Sequence, residues 1–263
     1  MEQGITALLK RYEKLEKQFP LMDGTQVFAN LVTASTNQQY PVQRWFHLKE
    51  AYFLDLFEIL IHSWEIPLSS IRRVLDPFCG TGTSLLAAQK LAKKLCRSDL
   101  VAVGLERTPF LHFVAHTKLQ WHQFNGQQFE AYAAHLLNGA PKPVPRKWPE
   151  LSTLRRKDVF SHRKLKEILG FRSAINSVEA NERLLLLLGY ASVLEDLSGT
   201  RKDGRMVRIV KNKQSPATAT ALQSAWSSIA EDTRLAAQYF LPIQTKILLG
   251  DGRSLVEVMS ESV

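Results

Sequence analysis

Cysteine is scarce in this 263-residue chain. Cys79 and Cys96 are the only two, too few for a disulfide framework. A metal site is not expected either, the seven histidines being read as forming no C-x-x-C or H-x-x-x-H partner set. No apolar run approaches the ~20 residues that span a bilayer, and the opening Met1-Glu2-Gln3-Gly4-Ile5 lacks the charged-then-apolar pattern of a signal peptide. These absences point to a reduced, cytoplasmic protein with no membrane partner. Internal repeats and long low-complexity runs are missing too. Two phosphate-binding signatures are also absent, the Gly-Lys-Ser/Thr ending of a triphosphate loop and a complete G-x-G-x-x-G.

What is present describes a folded protein with one substantial core, since 45% of residues are hydrophobic and 22% charged. The net charge of +9 is unevenly placed. Residues 141–213 hold 17 Lys/Arg against 8 Asp/Glu, and the rest of the chain holds 17 of each sign. A basic segment beside a neutral remainder suits a polyanion, because phosphate contacts supply most sequence-independent affinity. Charge alone leaves an ordinary solvated surface equally open.

The organising stretch is Arg73-Val74-Leu75-Asp76-Pro77-Phe78-Cys79-Gly80-Thr81-Gly82-Thr83-Ser84. Val74 and Leu75 read as a short buried strand. Gly80 and Gly82 permit a tight turn and close backbone approach to a ligand. From Ser84 onward, Leu85, Leu86, Ala88, Leu91 and Leu95 recur at helical spacing. Strand, glycine turn and helix N-terminus are the parts of a nucleotide-type site in a doubly wound α/β fold. A second apolar strand, Leu100 to Leu105, ends in Glu106, 24 residues after Gly82. That is near the offset at which an acid meets ribose hydroxyls in such folds, two acceptor oxygens matching two vicinal donors.

Asp76-Pro77-Phe78-Cys79-Gly80-Thr81-Gly82-Thr83 closely resembles motif I of S-adenosylmethionine-dependent amino-methyltransferases, the N6-adenine and N4-cytosine DNA enzymes and some RNA-guanosine enzymes. The resemblance implies a Rossmann-like core holding S-adenosyl-L-methionine. Its zwitterionic tail carries no phosphate; Asp76 suits the ammonium and turn amides suit the carboxylate. Pro77, Phe78, Gly80, Gly82 and Thr83 are carried over with Asp76 as cofactor-binding residues. Gly104-Leu105-Glu106-Arg107-Thr108-Pro109-Phe110 looks like motif II, which gives Glu106 the ribose. Thr245 to Leu249 followed by Gly250-Asp251 resembles motif III, in which Asp251 accepts the adenine amino group. Arg44-Trp45-Phe46 to Phe57 is similar to motif X, which closes over the methionine end of the cofactor; it is expected as a helix running to Trp64.

The resemblance divides the chain. Residues 1–43 hold an N-terminal helix, about 5–19, and nearly all of a polar segment, 21–44, expected to be extended. Residues 44–121 and 241–263 form the cofactor-binding core, incomplete at the C-terminus. Residues 122–240 form a basic, mostly helical insertion. Within the insertion, helices are expected at Gln123–Asn138, Arg183–Leu197 and Leu222–Phe240, with a basic turn at Ser198–Arg205 before a strand-like run, Met206–Lys211. Arg155, Arg156, Lys157, Arg201, Lys202 and Arg205 are its candidate nucleic-acid contacts.

The family's catalytic motif IV, Asp/Asn/Ser-Pro-Pro-Tyr/Phe, binds and stacks on the flipped target base. No such tetrapeptide occurs; Trp148-Pro149-Glu150 and Ser215-Pro216-Ala217 lack the double proline and the aromatic. The resemblance therefore assigns no catalytic residue and implies that this chain alone is inactive. With the chain ending about one helix past Asp251, a truncated product, a fragment and one half of a split enzyme all stay open. An unpaired sheet edge would favour a partner chain. The leading function is the cofactor-binding portion of a restriction–modification-type DNA methyltransferase acting on adenine or cytosine amino nitrogen. Alternatives are a non-catalytic cofactor- or DNA-binding subunit and a tRNA-guanosine methyltransferase.

Overall fold

The computed structural model describes residues 2–18, 24–29, 31, 35–139, 159–203, 206–210 and 212–253. Helix α1, Glu2–Gln18, and the one-turn α2, Thr25–Phe28, come first. Then follow 3-10 turns at Ser35–Gln39 and Gln43–Trp45 and helix α3, Leu56–Ser63. The alternating core comprises β1, Arg73–Asp76, α4, Thr83–Leu95, β2, Val101–Glu106, and α5, Pro109–Leu119. Helices α6, Gly126–Asn138, α7, His162–Asn176, α8, Arg183–Ser192, and the short α9, Leu194–Leu197, precede a hairpin of β3, Thr200–Asp203, and β4, Met206–Ile209. The long α10, Thr218–Tyr239, leads into β5, Gln244–Leu249.

Strands β1, β2 and β5 form a parallel sheet in the order β1-β2-β5. Val101-Ala102-Val103-Gly104-Leu105 is apolar throughout because the central strand of a parallel sheet is covered on both faces. Val74 and Ala102 join the main core, whereas Val103 and Leu105 form a smaller cluster on the opposite face with Val101 and Leu248. Among the described residues β1 is paired on one side only, and Leu75 beside that edge is half exposed.

Residues 122–240 do not stand apart from the sheet layer. Phe129, Leu185, Leu186, Leu222, Trp226 and Ile229 share one continuous cluster with Leu85, Leu86, Leu91 and Val114. The leucine run of α8 reads as a helix buried on most sides, and Leu185, Leu186 and Leu188 are fully enclosed. Gly189 lets Trp226 of α10 lie against α8, because a Cβ there would stand 2.6 Å from Trp226 Cδ1. The Trp226 indole N–H donates to the Leu186 carbonyl at 3.1 Å.

Several expected elements differ. The helix expected over 44–64 exists only as α3; residues 46–55 are turns and extended backbone. Their main-chain groups are taken by distant partners in place of i−4 neighbours. Asn37 bonds the Tyr52 carbonyl and the Leu54 N–H, and Phe53 N–H donates to the Leu31 carbonyl. Such tertiary satisfaction overrides local helical pattern. Residues 21–44, expected as extended, contain α2 and the two 3-10 turns. The helix expected at 183–197 breaks at Val193, where Ser192 turns its hydroxyl back to the Gly189 carbonyl. The basic turn at 198–205 includes strand β3, paired antiparallel with β4. No helix among the described residues is long and apolar enough to cross a membrane.

Candidate cofactor-binding site

The turn after β1 owes its shape to two left-handed residues, Gly80 at φ 54° and Gly82 at φ 83°. Gly82 ends the turn by donating to the Cys79 carbonyl at 2.8 Å and starts α4 by accepting from Leu86 N–H. Asp76 braces the interior. One carboxylate oxygen accepts the Phe78 N–H at 2.9 Å and the other accepts the Ser84 hydroxyl. Burial pushes the Tyr52 hydroxyl up to about 12. Cys79 N–H donates to the Leu105 carbonyl at 3.0 Å, tying the turn to β2. Gly104 makes that approach possible, since a Cβ there would lie 2.8 Å from Cys79 Sγ. Burial, then the negative charges of Asp76 and Glu106, push the Cys79 thiol up to about 12, so it stays protonated near neutral pH.

At the C-terminal ends of β1, β2 and β5 lies an open cleft of about 370 Å³. Pro77, Phe78, Glu106, Arg107, Asp251 and Arg253 are on its walls. Phe78 is 71% exposed, an apolar ring facing solvent. Glu106 is nearly buried; one oxygen accepts the Thr108 N–H at 2.6 Å and the other has no protein donor among the described residues. Asp251 is gripped by Arg253, with contacts at 2.5, 2.9 and 3.1 Å, and lies 4.0 Å from Arg107. Those cations hold its carboxyl below the usual carboxylate range. Gly252 carries the chain past the turn so closely that a Cβ would overlap the Pro77 carbonyl oxygen.

Of the sequence-predicted cofactor residues, Pro77, Phe78, Glu106 and Asp251 therefore meet in one cleft. Asp76, Gly80, Gly82 and Thr83 shape the turn behind it. Gly82 faces Ala115 and Leu119 of α5, and the buried Thr83 hydroxyl accepts from Gln43 Nε2 at 2.9 Å. Sequence reasoning passed over Tyr52, Gly104, Gly252, Gln43, Lys118 and Asp232. Gly104 and Gly252 carried a weak signal as glycines within or just after a strand, and Tyr52 lies in the stretch similar to motif X; the others carried none. It also passed over the H-x-x-x-H spacing of His112 and His116, whose rings stack at 6.0 Å on α5. His112 Nε2 lies 3.3 Å from the Ile247 carbonyl and His116 beside Gln120. Among the described residues no three His, Cys, Asp or Glu gather to hold a metal ion.

Arg155, Arg156, Lys157 and Arg205 lie outside the described residues. Lys202 is on β3. Arg201 is exposed there and stands directly across from the exposed Arg208 of β4.

Three parallel strands in this order, a glycine turn after the first, and acids after the second and third form a Rossmann-like core, consistent with that of a methyltransferase. The chain is similar to the Type II methyltransferase M.BsoBI of Geobacillus stearothermophilus, with 26% identity over 199 residues, covering 74% of this chain and 37% of that protein. It is equally similar, at 26% identity over 194 residues, to the Type II methyltransferases M.AvaI of Nostoc sp. and of Anabaena variabilis, covering 68% of this chain and 35% of each. The chain thus spans little more than a third of the length of these curated relatives. No family model and no solved structure matches it.

Proposed function

We propose that this chain is the cofactor-binding part of an S-adenosylmethionine-dependent DNA methyltransferase that modifies an exocyclic amino nitrogen of adenine or cytosine. One cleft collects the turn after β1, Glu106 after β2 and Asp251 after β5, and that juxtaposition carries the proposal. Its volume lies in the range of small-molecule sites. The donor and acceptor set fits the cofactor. Glu106 has an open oxygen for ribose hydroxyls. Asp251 brings a carboxylate acceptor to the cleft, suited to an amino group once Arg253 yields a position, and Phe78 offers an exposed ring for a flat base. Asp76 fastens the turn and keeps lone pairs for an ammonium.

S-adenosylmethionine supplies a sulfonium methyl group open to attack by a nitrogen lone pair. This chain's own contribution is to bind and orient. A protonated, buried Cys79 favours direct attack by the substrate nitrogen over a covalent route through this thiol.

DNA as the substrate is supported by the similarity to Type II methyltransferases and by the concentration of charge in 141–213. Arg155, Arg156, Lys157, Arg201, Lys202 and Arg205 are the proposed contacts to that DNA. Such a protein acts in the cytoplasm.

A second reading rests on the outer edge of β1, which no described strand pairs. In it the chain is a cofactor- and DNA-holding subunit, and a second polypeptide adds the neighbouring strand and the catalytic motif.

Titration calorimetry with S-adenosylmethionine tests the cofactor site. Micromolar binding, abolished by Asp76→Ala combined with Glu106→Ala in a folded variant, is expected. No binding by the folded wild-type chain overturns the proposal.

A further inference from the structure

Residues 42–46 run between the helices and the cofactor turn, held from two sides. On one side is Asp232 of α10, whose carboxylate is fully buried. It accepts Val42 N–H at 3.1 Å, the Trp45 indole N–H at 2.9 Å, and Arg44 through Nε at 3.1 Å and Nη2 at 2.5 Å. On the other side is Lys118 of α5, 1% exposed. Its ammonium donates to the Gln43 carbonyl at 2.9 Å, to Gln43 Oε1 at 3.3 Å and to the Phe46 carbonyl at 3.3 Å.

Gln43 passes this grip onward, because its Nε2 donates to the Thr83 hydroxyl at the start of α4. The segment then lies on the turn itself. Leu48 comes within 3.8 Å of the position a Gly80 Cβ would take, and a cavity of only about 10 Å³ separates Gln43, Phe46 and Leu48 from Thr81. A buried lysine without a carboxylate is costly to keep, and an apolar side chain would fill the same space without that cost. Its three acceptors all belong to the segment laid on the turn, so the cost is matched to holding that segment.

We propose that Lys118, Gln43 and Asp232 are positioning residues that hold residues 43–48 against residues 80–83 of the turn after β1, whose Asp76 is proposed above to take the cofactor's ammonium, and so shape the pocket for the amino-acid end of the cofactor. Through Asp232 the segment is also fixed to α10, so the helical region and the cofactor pocket share one support. This inference rests on the cofactor reading above.

The test compares two ligands on the whole chain. S-adenosylmethionine has the amino-acid tail, and 5′-methylthioadenosine has the same nucleoside without it. Gln43→Leu cuts the link to Thr83 and leaves both main-chain bonds of Lys118 in place. It is expected to weaken S-adenosylmethionine at least tenfold while leaving methylthioadenosine within twofold. Lys118→Met, if folded by circular dichroism, is expected to show the same selectivity; if it does not fold, Gln43→Leu decides alone. Unchanged S-adenosylmethionine affinity, or equal weakening of both ligands, overturns the positioning role while leaving the cofactor reading intact. Failure of the wild-type chain to bind either ligand overturns both.

Discussion

Lys118 gives the stability of this protein a dependence on pH that can be worked out beforehand. Burial brings its ammonium down from the ordinary lysine value to about 7. In the unfolded chain the same group holds its proton to about pH 10.4. Between those values the unfolded state binds the extra proton, so folding is favoured increasingly as pH rises. From pH 7.0 to 8.5 this single group adds about 1.6 kcal/mol, by integrating the difference in bound protons. With a urea slope of about 2–3 kcal/mol/M, the midpoint moves up by roughly 0.5–0.8 M. Burial of Cys79 works in the opposite direction above about pH 8.5, where an unfolded thiol ionises. That contribution is common to wild type and variant and cancels in their difference. The assay is urea unfolding at the two pH values, followed by the fluorescence of the buried Trp45, Trp121 and Trp226. The wild type should gain midpoint relative to Lys118→Met by that amount. Parallel pH responses in the two proteins would refute the desolvation of the Lys118 ammonium.

Three further outcomes are expected. Gly252→Ala places a methyl group on the Pro77 carbonyl and must shift the turn or the β5 end; calorimetry should show cofactor affinity reduced at least about tenfold, about 1.4 kcal/mol, with little change in the thermal midpoint. Replacing Arg201 with alanine should lower the salt slope of DNA binding by up to about 0.9 in log–log units, from one lost phosphate contact. An aromatic disulfide reagent at pH 8 should find one fast thiol, the exposed Cys96, and reach Cys79 only on unfolding; a pKa near 12 leaves about one Cys79 in ten thousand ionised.

The parts of the site that lie within one short stretch could be read directly from the sequence. The strand, glycine turn and helix of 73–95 are contiguous, and the pattern of apolar run, acid and helix start marked 101–106 and 244–251 in the same way. The residues that hold the site together could not. Lys118 looks like any lysine in the last turn of a helix, and Asp232 like any acid on a long amphipathic one. Their partners lie 75 and 190 residues away in sequence. The same non-local bonding misled the helix expectation for 44–55, because Asn37 and Lys118 take main-chain groups that a helix would have paired internally. Gly252 was visible only as a turn residue, since the reason for it is the Pro77 carbonyl in the distant turn after β1.

Ultraviolet photolabelling with methyl-tritiated S-adenosylmethionine tests the central claim most directly, because it reports where the cofactor sits as well as whether it binds. Label is expected on the peptides carrying Phe78 and residues 251–253, and it should be lost in the presence of excess S-adenosylhomocysteine. Labelling confined to other peptides, or none at all on a folded chain, would contradict the assignment of this cleft to the cofactor.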